Sequence, residues 1–151
     1  MSANPWEGLE FLIGEWTGEG GGEPGQGSAV FTFYPDLDNH ILVRRNHMDY
    51  PATPSRAAFV HDDLLIVFQE GDQTKQAIYF DNEGHVIHYS VEMSEEHKSV
   101  TFLSEKFPSA PRFRLSYLKT PAETLTIRFE MAPPGQPEEF SVYTEGNVRR
   151  K

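Results

Sequence analysis

The chain changes its hydrophobic rhythm once. From Asn4 to Ile13 the apolar positions Trp6, Leu9, Leu12 and Ile13 recur at helical spacing. Asn4 offers an N-cap and Pro5 a first helical residue, and Gly14 supplies a stop. A helix over 4–13 is only about two turns long and is stable only when docked, so the pattern predicts a short plug against a larger body. After Gly14 the period becomes two and stays two. Short runs of apolar, β-branched and aromatic residues recur with turn residues between them, at 15–20, 27–34, 40–49, 56–61, 63–69, 75–81, 85–93, 99–105, 112–118, 124–131 and 140–149. Regular short strands of this kind belong to all-β sandwiches or barrels. The run at 56–61 has the weakest pattern, which leaves about ten strands.

The punctuation sharpens the topology. Asp81-Asn82-Glu83-Gly84 is a tight hairpin signal, because Asn and Gly tolerate positive φ. The proline-rich pieces 50–54 and 133–137 cannot be central strands and must be loops. Sequential strands with short connections predict an all-β, ten-stranded antiparallel up-and-down barrel over 15–149, in a single domain spanning 1–151. Closure also removes sheet edges that would otherwise invite aggregation. A barrel of this size encloses either a filled core or a space for one small ligand.

Charge and composition narrow the partners. Twenty-three acidic against 13 basic residues give a net charge of -10, a surface that repels nucleic acid. Arg149-Arg150-Lys151 is too short a basic cluster to alter that. The chain contains no cysteine, which excludes disulfides, thiol nucleophiles, thiolate zinc and iron–sulfur sites. The opening Met-Ser-Ala-Asn-Pro has no basic region and apolar core, and no run reaches membrane-spanning length. The expectation is a cytoplasmic protein with no nucleic-acid or membrane partner; a homodimer is compatible with the pattern.

Strand parity carries the functional expectation. Leu125, Ile127, Phe129 and Met131 share one parity, and so do Ile87, Tyr89, Val91 and Met93, as an oily interior requires. The strand 40–49 breaks the rule: Arg44 shares parity with Leu42 and Met48, whereas Arg45 and His47 share it with Ile41 and Val43. Whichever face turns inward takes a charged or titratable group with it. A guanidinium inside a barrel suits a ligand carboxylate, because its fork stays charged when partly dehydrated. Arg44 or Arg45, with His47 and His88, are therefore candidates to orient a small, apolar and anionic molecule. Phe31, Phe33, Tyr79, Tyr89, Tyr117 and Phe129 are candidates for the wall. His85 and His88 lie three apart and point to opposite faces of a strand, so a zinc site needs His47, His61 and His88 to converge. Acid–base pairs such as His47 with Asp49 or Tyr79 with His88 offer catalysis, but neither a nucleophile elbow nor a phosphate loop is present. No catalytic residue or metal is assigned, and the pattern predicts a binding protein rather than an enzyme.

Residues Gly14, Trp16, Gly18, Gly20 and Gly22, followed by Glu23-Pro24, resemble the opening signature of the nitrobindin family. Met131-Ala132 and Gly135-Gln136-Pro137 resemble that family's penultimate strand and turn. The resemblance implies a calycin-type barrel, similar in shape to lipocalins and fatty-acid-binding proteins, and covers about a fifth of the chain. In lipocalin-like barrels a Trp in this setting closes one end and stacks beneath an Arg from the last strand, a role that falls to Trp16 with Arg149 or Arg150. The family binds haem through a His on its last strand and acts on nitric oxide and peroxynitrite. Here that position falls near Ser141, and the last His in the chain is His97. Tyr143 would be the substitute axial ligand. No cofactor is expected; haem is the alternative the family resemblance implies.

Overall fold

A computed structural model describes residues 4–19 and 28–151. Gly20, Gly22 and Pro24 of the glycine-rich signature, with the strand ends predicted at residues 20 and 27, lie outside the described residues. Ten antiparallel strands form one closed barrel in simple meander order: β1 (Gly14–Glu19), β2 (Ser28–Asp36), β3 (Ile41–Tyr50), β4 (Phe59–Phe68), β5 (Gln76–Asp81), β6 (Val86–Met93), β7 (Ser99–Ser104), β8 (Arg112–Lys119), β9 (Leu125–Ala132) and β10 (Ser141–Arg150). Closure comes from β1 pairing with β10, Trp16 opposite Arg150 and Thr17 opposite Arg149. The predicted runs 56–61 and 63–69 are one strand, β4. Its Phe59, His61, Asp63, Leu65 and Val67 all turn inward, and the exposure of Val60 and Asp62 had masked that alternation. The hairpin between β5 and β6 forms as expected: the Gly84 N–H donates to the Asp81 carbonyl at 3.2 Å, and Gly84 takes φ +88°.

The predicted helix over 4–13 is a correction. The segment is a chain of tight turns ending in one 3₁₀ turn, Glu10–Leu12, with the Leu9 N–H donating to Trp6 O at 2.9 Å and the Leu12 N–H to Leu9 O at 3.0 Å. Gly8 is the reason. It adopts φ +88°, which an α-helix cannot hold, and a Cβ there would lie 2.7 Å from Met93 Sδ, so the plug is pressed against β6. Asn4 does cap the segment, its Oδ1 accepting the Trp6 N–H at 3.0 Å. The docking role stands: Trp6, Leu9 and Leu12 are buried in the barrel core.

This plug makes the two ends of the barrel different. At the plugged end, Trp16 donates its indole N–H to Leu12 O at 2.8 Å. Arg150 lies over the Trp16 ring at 4.3 Å and donates to Ile13 O at 2.9 Å and Phe11 O at 3.3 Å. Arg150, not Arg149, is thus the closing arginine: it pairs directly opposite Trp16 and so shares its inward face, while Arg149 points out and is exposed. Two glycines of β1 permit the fit. A Cβ on Gly14 would stand 2.5 Å from Arg150 Nη1, and one on Gly18 2.7 Å from Val148 Cγ1.

Candidate functional site

The interior divides at mid-height. Below, Leu42, Leu65, Val67, Ala77, Val100 and Leu125 are all 1% exposed or less. They are topped by an edge-to-face aromatic cluster. Phe33 meets Tyr117 at 5.5 Å, Phe31 meets Tyr117 at 6.2 Å, and Phe102 meets both Tyr117, at 6.0 Å, and Tyr89, at 6.1 Å. Above it, residues of the same inward parity are only partly buried: His61, Tyr79, Ile87, Phe113, Ile127 and Phe129. Tyr50 stacks on Phe59 at 4.6 Å at the upper edge of β3 and β4, with Arg56 4.4 Å over the Phe59 ring. Gly146 of β10 pairs with Ile127 and shares the inward parity of the buried Val148. A Cβ added at Gly146 would meet no atom of the described residues within 4 Å. The upper half thus differs from the lower in leaving its inward-facing residues half exposed, beside an exposed glycine.

Its floor is polar. Arg44 lies over Phe31 at 5.6 Å and Tyr117 at 6.0 Å, with Nη2 3.5 Å from Asp63 Oδ1. Asp63 accepts from Asn46 Nδ2 at 2.8 Å and lies 3.0 Å from His61 Nε2, both at Oδ2. Tyr79 Oη is 3.2 Å from the same His61 nitrogen and donates to Asp81 Oδ2 at 3.0 Å. The chain Asp63, His61, Tyr79, Asp81 therefore runs across β4 and β5 from floor to rim. Asp81 also accepts the Glu83 and His85 backbone N–H groups at 3.0 and 2.9 Å. Burial pushes the Asp81 carboxyl up, but the His85 and Tyr79 donors and the Glu83 N–H outweigh it and bring it down to about 2. Burial disfavours the charge on Arg44, yet Tyr117 and Asp63 hold its pKa above the ordinary guanidinium value. Burial pushes the phenols of Tyr79 and Tyr89 well up and that of Tyr117 up to about 12, so all three are neutral donors at physiological pH. Three deeply buried atoms of this floor have no hydrogen-bond partner: Arg44 Nε, Asp63 Oδ1 and Tyr117 Oη.

The residues expected to line a site separate cleanly. Arg44, Tyr79, Tyr89 and Tyr117 face inward around this floor, as do Phe31, Phe33 and Phe129. Arg45, His47 and His88 do not: they lie on the outer face and are exposed. Because Arg44 and Arg45 are adjacent, seating one inside puts the other outside, and His47 follows Arg45 by parity. His47 is instead held between Asp62, at 2.6 Å, and Asp49, at 3.0 Å, which raise its pKa above the usual 6.5. The acid–base pair of Tyr79 with His88 is absent; the partner of Tyr79 is His61. The three-histidine convergence is absent too, since His61 points in while His47 and His88 point out. Among the described residues no group of three or more His, Asp or Glu side chains is placed to hold a metal. Tyr143 is the extra residue of a β-bulge between Val142 and Thr144. The bulge carries it off the parity of Ser141 to the rim, 72% exposed, its ring centroid 6.1 Å from that of Phe129 in an edge-to-face arrangement.

His61 entered only as one of three possible zinc ligands, and Asn46 and Asp81 were not candidates; with Asp63 they run from the floor to the rim. The signal was present as same-face spacing: His61-x-Asp63 and Tyr79-x-Asp81 each place two polar groups on one side of a strand. Asn46 follows Arg44 by the same rule. No family model matches the chain, and no curated protein matches it. Among the described residues no helix is long and apolar enough to cross a membrane.

Proposed function

We propose that this barrel is a binding protein for one small molecule, taken into the upper half of the interior with an apolar body against the walls and a polar head at the Arg44–Asp63 floor. The observation that carries the proposal is the set of inward aromatic and aliphatic residues that are only half buried, beside an exposed Gly146 whose added Cβ would meet no described residue within 4 Å. A sequence that wanted a solid barrel would place a side chain there. Walls of Ile87, Phe113, Ile127 and Phe129 supply affinity through apolar burial, and the polar floor supplies orientation. The nitrobindin resemblance agrees with the calycin-like architecture but brings no axial ligand with it. Ser141 offers no ligating nitrogen and Tyr143 is turned out to the rim, so haem chemistry is not part of the proposal.

Native mass spectrometry of protein purified without detergent tests it. The expected result is a population heavier than the 17.2 kDa chain by one small-molecule mass, lost on denaturation. Protein that stays at the bare mass after exposure to a lipid, porphyrin and metabolite panel contradicts the proposal.

A further inference from the structure

The charge of the lumen floor does not match the anionic ligand that an interior arginine suggests. Among the described residues, β3 contributes Arg44 and Asn46, β4 His61 and Asp63, and β5 Tyr79 and Asp81 to this floor, whereas the inward positions of β2 and β6 to β10 around it are glycine, apolar, aromatic or hydroxyl-bearing. One guanidinium therefore faces two carboxylates, whose side chains are each only 3% exposed. Glu83 at the rim adds a third, with Oε1 3.5 Å from His61 Nδ1. His85 sits on the outer side of Asp81 at 2.9 Å, but its side chain is 63% exposed, where water screens its charge. A carboxylate entering to meet Arg44 would arrive beside Asp63, which already lies 3.5 Å from that guanidinium.

Two independent observations point to the opposite head group. Asp63 Oδ1, whose nearest cationic atom is Arg44 Nη2 at 3.5 Å, and the Tyr117 hydroxyl are buried oxygens with no hydrogen-bond partner, and the neighbouring Arg44 Nε is a buried donor without one; the two oxygens retain the capacity to accept from an N–H head group. The upper wall carries aromatic side chains, with Phe113 stacked on Phe129 at 5.7 Å and Tyr79 turned inward, and aromatic faces attract cations.

We infer that the lumen selects an organic cation, an ammonium-type head on an apolar body, over the matching carboxylate; the inference rests on the upper lumen being a binding pocket. Ammonium N–H groups meet Asp63 Oδ1 and Tyr117 Oη, and the aromatic walls hold the body.

Nile red, which is neutral, reports the pocket; hexylamine and hexanoate, equal in tail, then compete for it at pH 8. Hexylamine should displace the dye at concentrations about tenfold or more below hexanoate, as one uncompensated carboxylate at several ångströms implies. Asp63→Asn should shrink that ratio, and Asp81→Asn, at the rim, provides the same reading if the buried substitution does not fold. If Nile red binds but hexanoate competes as well as hexylamine or better, or neither competes, the charge selection is overturned while the pocket stands. If Nile red does not bind at all, the pocket itself is refuted, and the selection with it.

Discussion

The plugged half and the open half of this barrel are built from the same strands yet obey different rules. Below the aromatic cluster Leu42, Leu65, Val67, Ala77, Val100 and Leu125 are closed off from solvent, and Trp16 and Arg150 seal the end through hydrogen bonds to the carbonyls of 11–13 in the plug. Above it, the same strands turn Arg44, Asn46, His61, Asp63, Tyr79 and Asp81 inward, and no described residue lies within 4 Å of a Cβ added at Gly146. A small interior gains its stability from apolar burial per residue, so concentrating that burial in one half frees the other from the demand for dense packing. The difference teaches that apolar burial is concentrated in one half, while the other gathers the polar groups on which the proposed site rests.

The largest break expected from this contrast is at Trp16. Trp16→Ala should cost about 3–5 kcal/mol by chemical denaturation, the range for a fully buried large side chain. Phe129→Ala, in the half-buried wall, should cost roughly half as much. Equal costs would erase the distinction between the halves. Next comes the floor. Arg44→Met leaves Asp63 a buried carboxylate without its cation, a loss on the order of 3 kcal/mol, and Arg44→Met with Asp63→Leu should recover much of it, since a buried ion pair and its apolar replacement are often near parity. A double variant no more stable than the single one would mean that the pair does not act as a unit.

A smaller effect separates the rim from the core by pH. Asp81 titrates near 2 in the fold against an ordinary value of 3.8. A depressed carboxylate stabilises above its unfolded value, so this share of stability is complete above about pH 4 and is lost as pH falls toward 2. Its partner His85 is raised above 6.5 by the Asp81 hydrogen bond, so its share is full below that value and is lost as pH rises through the raised one. Asp81→Asn should flatten the acid limb of stability against pH, whereas an unchanged slope between pH 4 and 2 would assign the acid sensitivity to other carboxylates.

Much of the fold was legible because strands announce themselves by alternation and the prolines and glycines fall where the chain must turn. The helix over 4–13 was misread because its periodicity is helical, and only the position of Gly8 against Met93 forces the tighter turns. Half of the site was legible by the same alternation: an arginine had to enter on β3, and its inward aromatic neighbours followed. Which arginine it was depended on the register against β2 and β4, where Arg44 lies opposite Phe33 and Leu65, long-range pairings that no local pattern encodes. Tyr143 escaped for a related reason, since one inserted residue at the β10 bulge reverses the parity on which its placement depended.

Gly146→Trp is the sharpest test of whether the upper half is an open lumen that serves binding and not stability. The indole would enter space that no described residue occupies within 4 Å of the new Cβ. Nile red binding should be lost while the unfolding free energy stays within about 0.5 kcal/mol of wild type, the range of substitutions that disturb no packing. A variant that binds the dye as before, or one that unfolds because the indole has nowhere to go, would contradict the account.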